Sequence, residues 1–226
     1  MMLHIPGVLD RDTVGEMRKA LAAAAWVDGA MTAGAQAGAL KKALQLPYED
    51  PLSQRLSAVV ADSLKRHPLF VSAALPNVVL PPRFNAYESG FSFGNHVDSA
   101  IHIDRSTGLN ARTDISTTVF LSDPDEYDGG ELVIEDTYGA HDVKLPAGDA
   151  ILYPSTSLHR VEAVTHGRRL VSVLWTQSMV RDAVRRQMLF DLDMTIVKLR
   201  AREGDSDAVV SLTSHYHNLI RQWAEI

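Results

Sequence analysis

Tyr87-Glu88-Ser89-Gly90-Phe91-Ser92-Phe93-Gly94-Asn95-His96-Val97-Asp98 alternates aromatic with small polar residues between glycines, which is the pattern of a β-strand. Successive strand side chains point to opposite faces, so His96 and Asp98 are expected to share one. An imidazole and a carboxylate on one face can reach the same metal ion. A lone His-x-Asp is a weak signal. It gains weight from Leu158-His159-Arg160-Val161 further along, with Arg169 ten residues after His159.

Around this stretch the text from 83 to 176 breaks into short strands separated by turns: 83–87, 91–98, 114–121, 130–135, 141–145, 149–153, 158–164 and 168–176. That spacing predicts an antiparallel sandwich or jelly roll rather than a parallel α/β sheet. Upstream, residues 3–9 read as an extended segment. Asp10 or Asp12 then caps a helix with Val14, Met17 and Leu21 on one face. Met31–Gly38 reads as a loop packed on the body. A second helix is expected over 51–66, opened by Pro51 and stopped by His67-Pro68, and Pro76 to Pro82 reads as an extended connection. Beyond Gln177 the pattern is helical again. Val180, Val184, Met188, Phe190, Leu192, Ile196 and Leu199 suit one or two amphipathic helices, and Leu212, Tyr216, Leu219, Ile220 and Trp223 form a stripe on a last one. The stripe is expected to pack on the core; the rival reading is a homodimer through the C-terminal helices.

Composition narrows the function classes. The chain has 226 residues, 46% hydrophobic and 22% charged, enough to bury a sizeable core. A formal net charge of -6 without a long basic run argues against nucleic acid as a partner. The absence of cysteine excludes disulfides, thiolate metal sites and a cysteine nucleophile. No apolar run approaches the roughly 20 residues that span a bilayer, and no leader pattern opens the chain, so a cytoplasmic protein without a membrane partner is expected.

His96, Asp98 and His159 are the expected metal ligands. Two imidazoles and one carboxylate leave three positions of the metal open, a set that suits non-haem Fe(II). One carboxylate leaves the site near +1, which favours an anionic chelating co-substrate. Arg169 would hold that molecule's far carboxylate through its planar, permanently charged fork, and the Tyr87 hydroxyl could reach the same molecule. His102-Ile103-Asp104 is a second His-x-Asp six residues after the first. The first pair is preferred because the aromatic strand leads into it, with His102 left near the pocket mouth. His215 and His217 sit two apart in a helix and diverge, so a structural role is expected. Asp128-Gly129-Gly130-Glu131 reads as a tight hairpin connection, not a phosphate loop. The polar stretch Ser99–Thr113 reads as a substrate loop.

The chain resembles the PKHD-type hydroxylases, a branch of the prolyl-4-hydroxylase-like Fe(II)- and 2-oxoglutarate-dependent dioxygenases that includes bacterial iron-uptake-factor proteins. The resemblance lies in Trp26-x-Asp28-Gly29, Phe84-Asn85-x-Tyr87, His96-Val97-Asp98, Arg112-Thr113-Asp114-x-Ser116, Phe120 to Leu132, His159-Arg160-Val161, Arg169 and Tyr216-His217-Asn218-Leu219, and so spans nearly the whole chain. It implies a mainly β protein with flanking helices: a double-stranded β-helix (jelly-roll) core at 76–178, an N-terminal helical layer at 1–75 and a C-terminal helical extension at 179–226. It implies His96, Asp98 and His159 as Fe(2+) ligands and Arg169 as the 2-oxoglutarate anchor, with L-ascorbate (vitamin C) keeping the iron reduced. The implied reaction consumes O2, converts 2-oxoglutarate to succinate and CO2, and hydroxylates a small-molecule or protein side-chain substrate with a link to iron uptake. Some relatives carry a hydroxyl residue two positions after the anchoring Arg. Val171 stands there in this chain, so Tyr87 or a Thr of 116–118 would supply that contact. The alternatives from other classes are a zinc-dependent hydrolase, which gives Arg169 no role, and a non-catalytic sensor on the same fold.

Overall fold

The computed structural model describes residues 1–32, 35–104 and 107–226, and the side chains of 31–37 lie outside that description. Two antiparallel sheets enclose the interior. The larger runs in the order Leu3–Ile5, Ala150–Pro154, Ile115–Phe120, Arg169–Ser178, Arg83–Tyr87, Leu44–Gln45, Val27–Asp28, with Pro76–Val79 also paired to the long strand Arg169–Ser178. The smaller runs Gly139–Val143, Leu132–Asp136, His159–Val161, Ser92–His96, Lys41–Lys42. This is the expected jelly-roll arrangement, helices flanking it on both sides of the sequence.

Period-two alternation divides the buried residues into two cores. Along Arg83–Tyr87, Phe84 and Ala86 point outward under the helices, whereas Tyr87 points between the sheets. Leu170 and Leu174 likewise join the outer core while Val171 joins the inner, and Leu152 is outer where Ile151 and Tyr153 are inner. The outer core meets Met17, Leu21, Leu56, Val60, Leu64 and Phe70 from the N-terminal helices Arg11–Ala22, Pro51–Arg66 and Pro68–Ala74. The first helix is capped by Asp10, whose carboxylate accepts the Thr13 N–H at 2.7 Å, and the second by Asp50, which accepts the Leu52 N–H at 2.8 Å.

Several expectations are corrected. His67-Pro68 does stop the helix Pro51–Arg66, but Pro68 also opens a further short helix, in the first-turn position where its missing N–H is harmless, and Leu75 at φ +42° ends that one. The loop expected at Met31–Gly38 falls partly outside the described residues, and the backbone of Ala35–Leu40 is helical. Ser99–Thr113 carries a two-stranded hairpin, Ile101–Ile103 against Asn110–Arg112; residues 105 and 106 within it lie outside the described residues. In the helix Ala183–Glu203 the expected apolar face holds at Ile196 and Phe190 but not at Val184 and Met188. Val184 and Met188 are 68% and 56% exposed, while Arg186, Leu189 and Ile196 are buried. Arg186 displaces them because its Nη1 donates to the carbonyls of Val180 at 2.7 Å and Arg181 at 2.8 Å. In the last helix, Asp207–Trp223, the stripe Tyr216, Leu219, Ile220 and Trp223 packs against Leu75, Val180 and Leu189 of the same chain.

Phe84 ties the larger sheet to the helical layer and is fully buried. Phe84→Ala should cost ~3–5 kcal/mol, lost side-chain transfer plus a cavity, read from urea unfolding midpoints at unchanged m-value.

Candidate active site

Register brings the two imidazoles together. In the smaller sheet His159 stands directly opposite His96, and their ring centres lie 4.2 Å apart. Asp98 arrives differently from the expectation: the strand ends at His96, and Asp98 lies two residues beyond it. Its carboxylate is fixed instead by Ser116 of the larger sheet, whose Oγ donates to Oδ2 at 2.5 Å and contacts Ser155 Oγ at 2.8 Å. His96 Nε2 is 3.9 Å from Asp98 Oδ1 and His159 Nε2 is 3.8 Å from Oδ2, so one ion could meet all three.

The donor chemistry fits a metal. Each histidine directs Nδ1 at the carbonyl two residues upstream, His96 at Gly94 (2.8 Å) and His159 at Ser157 (3.0 Å). A proton held at Nδ1 leaves the Nε2 lone pair facing the cluster, the orienting arrangement that ligating histidines use. Burial, then the neighbouring His159, lower the His96 pKa to about 4, opposed by the Gly94 contact and Asp98, so the ring stays neutral as a ligand must be. Phe93 stacks on it at 3.6 Å and Tyr153 meets His159 edge-on at 5.2 Å.

Arg169 faces the same cleft and is 1% exposed. Its guanidinium lies 5.1 Å from the Tyr87 ring centre and 5.5 Å from Phe120, its Nε has no partner, and among the described residues no carboxylate is within ion-pair distance. The preceding turn makes room for it. Gly129 and Gly130 adopt φ +68° and +67°, and a Cβ on Gly130 would land 3.2 Å from Arg169 Cδ and 2.8 Å from Val164 Cγ2. Tyr87 is buried against the guanidinium; burial raises its pKa and the Arg169 charge opposes the shift.

Sequence reading missed several lining residues. Tyr153 contacts Thr118, and burial followed by the Asp98 charge pushes its phenol well above the usual range, so it remains a donor. Tyr127 sits beside Arg169, its pKa raised by burial. Lys41, Gln45, Arg83, Asn85 and Trp175 line the cleft toward its mouth. The alternation Arg83, Asn85, Tyr87 was the available signal, because it repeats the inward period of a strand. His102 does lie at the mouth, its ring 4.5 Å from Trp175, but only His96, Asp98 and His159 form a metal-type cluster among the described residues. His215 and His217 are both exposed on the last helix.

A jelly roll with two imidazoles and a carboxylate beside a buried cation is the constellation of one enzyme class, and residues 82–177 match the family model of the 2OG-Fe(II) oxygenase superfamily. Residues 182–225 match the PKHD-type hydroxylase C-terminal domain. A PKHD-type hydroxylase of Hyphomonas neptunium is 63% identical over 225 residues, and one of Paracoccus denitrificans 54% over 226, each covering 100% of both chains. The chain belongs to the PKHD-type hydroxylases, and is an Fe(II)/2-oxoglutarate-dependent oxygenase. Among solved structures, a Pseudomonas putida prolyl-4-hydroxylase aligns at TM-score 0.52 and 19% identity over 78% of this chain and 92% of its own. HygX of Streptomyces hygroscopicus, with nickel, 2-oxoglutarate and hygromycin B bound, aligns at TM-score 0.54 and 16% identity over 78% and 82%. At these identities the likeness is one of fold. Among the described residues no helix is long and apolar enough to cross a membrane.

His159→Ala removes one of three donors, and Ser116→Ala removes the hydroxyl that orients another. Anaerobic Fe(II) titration should show at least ~100-fold weaker binding for the first and ~10–100-fold for the second.

Proposed function

We propose that His96, Asp98 and His159 hold Fe(II), that Arg169 anchors the distal carboxylate of 2-oxoglutarate, and that the enzyme hydroxylates a substrate bound at the cleft mouth. The observation that carries this is the buried, uncompensated guanidinium of Arg169 in the same cleft as the three donors. A buried cation without a counter-ion costs several kcal/mol, and a dicarboxylate reaching from the metal supplies the missing charge. Bound iron with 2-oxoglutarate supplies the oxidising chemistry, with O2 consumed and succinate and CO2 released.

The chain's own residues do the positioning. The Gly94 and Ser157 carbonyls engage the Nδ1 atoms and aim the Nε2 side of each imidazole at the cluster. Ser116 steadies the Asp98 carboxylate. Tyr87 and Phe120 stack on Arg169 and keep water from it, and with Val171 in place of a hydroxyl residue, Tyr87 and Thr118 are the groups for a second contact to the distal carboxylate. The apolar plug of Leu132, Val161 and Val173 shields the cleft floor. In this reading the helices of 1–75 and 179–226 brace a catalytic core at 76–178. Ascorbate as reductant, a cytoplasmic setting and a role in iron uptake rest on the family likeness. A hydrolytic zinc site would leave Arg169 idle.

The test is an anaerobic titration of the Fe(II)-loaded protein with 2-oxoglutarate, followed through the visible charge-transfer band of a chelated keto acid. A saturable band is expected in wild type, with Arg169→Ala shifting its midpoint at least ~10-fold upward while iron stays bound. No band in the iron-loaded wild type, or an equal midpoint in the variant, defeats the assignment.

A further inference from the structure

The cleft has a second cationic wall that neither the metal nor 2-oxoglutarate accounts for. Lys41 stands on the edge strand Lys41–Lys42 of the smaller sheet and is only 9% exposed. Its Nζ donates to two neutral amide oxygens, Gln45 Oε1 at 2.8 Å and Asn85 Oδ1 at 3.2 Å. Among the described residues no carboxylate lies within ion-pair distance of it. Asp28 draws its pKa upward from further off, but Asp28 Oδ1 accepts the Ala30 N–H at 2.9 Å. Burial first, and then the Arg83 guanidinium, prevail over Asp28 and lower the Lys41 pKa to about 8. Lys41 is therefore a buried cation held by two neutral amides, with the Arg83 guanidinium on the same cleft, a costly setting for the lysine in the free protein.

The placement is built into the backbone. Gly29 passes so close that a Cβ there would meet Lys41 Cε at 3.0 Å and the Ala43 carbonyl at 2.8 Å. Nζ lies 5.8 Å from the Phe93 ring centre, and Phe93 in turn stacks on His96. A group held by Lys41 thus sits one aromatic ring from a metal ligand. Arg83 lines the same cleft over Trp175, 5.3 Å from its ring centre. It is paired with Val173, four residues along the strand from the Tyr87–Arg169 pair, roughly 13 Å at about 3.3 Å per residue. That separation takes it out of the Arg169 carboxylate site.

We propose that Lys41 and Arg83, framed by Gln45 and Asn85, form a subsite for a carboxylate on the primary substrate, which makes that substrate an acidic small molecule. This rests on the iron and 2-oxoglutarate reading above and adds the substrate class to it. In an acidic chain, net -6, two cations line the cleft, and a substrate carboxylate would give buried Lys41 a counter-charge and take up the donor that the two amides leave over. Trp175 and Phe93 give that substrate an apolar wall beside the charge.

The test uses Mn(II)-loaded protein saturated with 2-oxoglutarate, and benzoate and benzamide as matched probes, read by paramagnetic relaxation of their ring protons. Benzoate should relax about tenfold more than benzamide in wild type, and Lys41→Met and Arg83→Gln should each bring it down to the benzamide level. Equal relaxation of the two probes in wild type, or a benzoate preference that survives both substitutions, overturns the subsite. Should Lys41→Met not fold, Arg83→Gln decides alone. The keto-acid band of the Fe(II) protein separates the two failures. A band without benzoate preference refutes the subsite only, whereas no band in wild type refutes the co-substrate reading and the subsite with it. A Lys41→Met protein that loses 2-oxoglutarate affinity but keeps benzoate assigns Lys41 to the co-substrate and also overturns the proposal.

Discussion

The structure depends on keeping the Arg169 guanidinium buried between its two sheets without a paired carboxylate among the described residues. Arg169 lies between the sheets at 1% exposure, where an isolated ion is expensive. The neighbouring residues are arranged around that cost. Tyr87 and Phe120 offer ring faces to the guanidinium, which recovers part of the lost hydration. Gly130 surrenders its side chain so that the Arg169 stem can pass, and the left-handed turn at Gly129 and Gly130 lets the strand Leu132–Asp136 begin beside it. Among the described residues no carboxylate pairs with it, although the chain has 28 acidic residues to draw on. A site designed to stay closed would pair that charge. Under the proposed reading, an incoming anion would supply the missing charge and stabilise the liganded form over the free one.

The metal cluster follows a different economy, in which register does what covalent proximity cannot. His96 and His159 are 63 residues apart in sequence and directly opposite in the sheet, so the spacing of their Nε2 atoms is set by strand pairing. A slip of one residue would turn one imidazole to the outer face. The irregularity between His159 and Val161 sits at this point, as bulges beside functional sites often do. Asp98, beyond the strand end, lacks that discipline and takes it from Ser116 on the opposite sheet. The cluster therefore requires both sheets at their correct separation.

Much of this was legible in the sequence because it is local or periodic. The strand 83–87 and helix 51–66 coincide with the observed elements, since alternation and a capped, proline-led amphipathic run are local signals. The residue pattern and the resemblance both singled out His96, Asp98, His159 and Arg169, and the fold gathers them in one cleft. What escaped reading was tertiary. Nothing near Ser116 says that it will hold Asp98, and nothing near Arg186 says that two free carbonyls will draw it inward and turn Val184 and Met188 to solvent. The short helix Pro68–Ala74 was hidden because Pro68, unlike Pro51, reads as the stop of the helix before it. Lys41 was passed over for a related reason: a lysine in a polar segment reads as surface, and only the fold buries it.

That last residue points to a division of labour along the chain. The superfamily pattern covers 82–177, the part that carries the donors and Arg169, so the reaction chemistry is common property of the class. The segment Val27–Gln45 lies outside it and adds strands to the free edges of both sheets, Leu44–Gln45 beside Arg83–Tyr87 and Lys41–Lys42 beside Ser92–His96. Exposed edges invite unwanted pairing and have to be covered by something. One short stretch covers both, and as it crosses from one sheet to the other it puts Lys41 and Gln45 into the cleft lining. Whatever residues it carries there become part of the cleft wall.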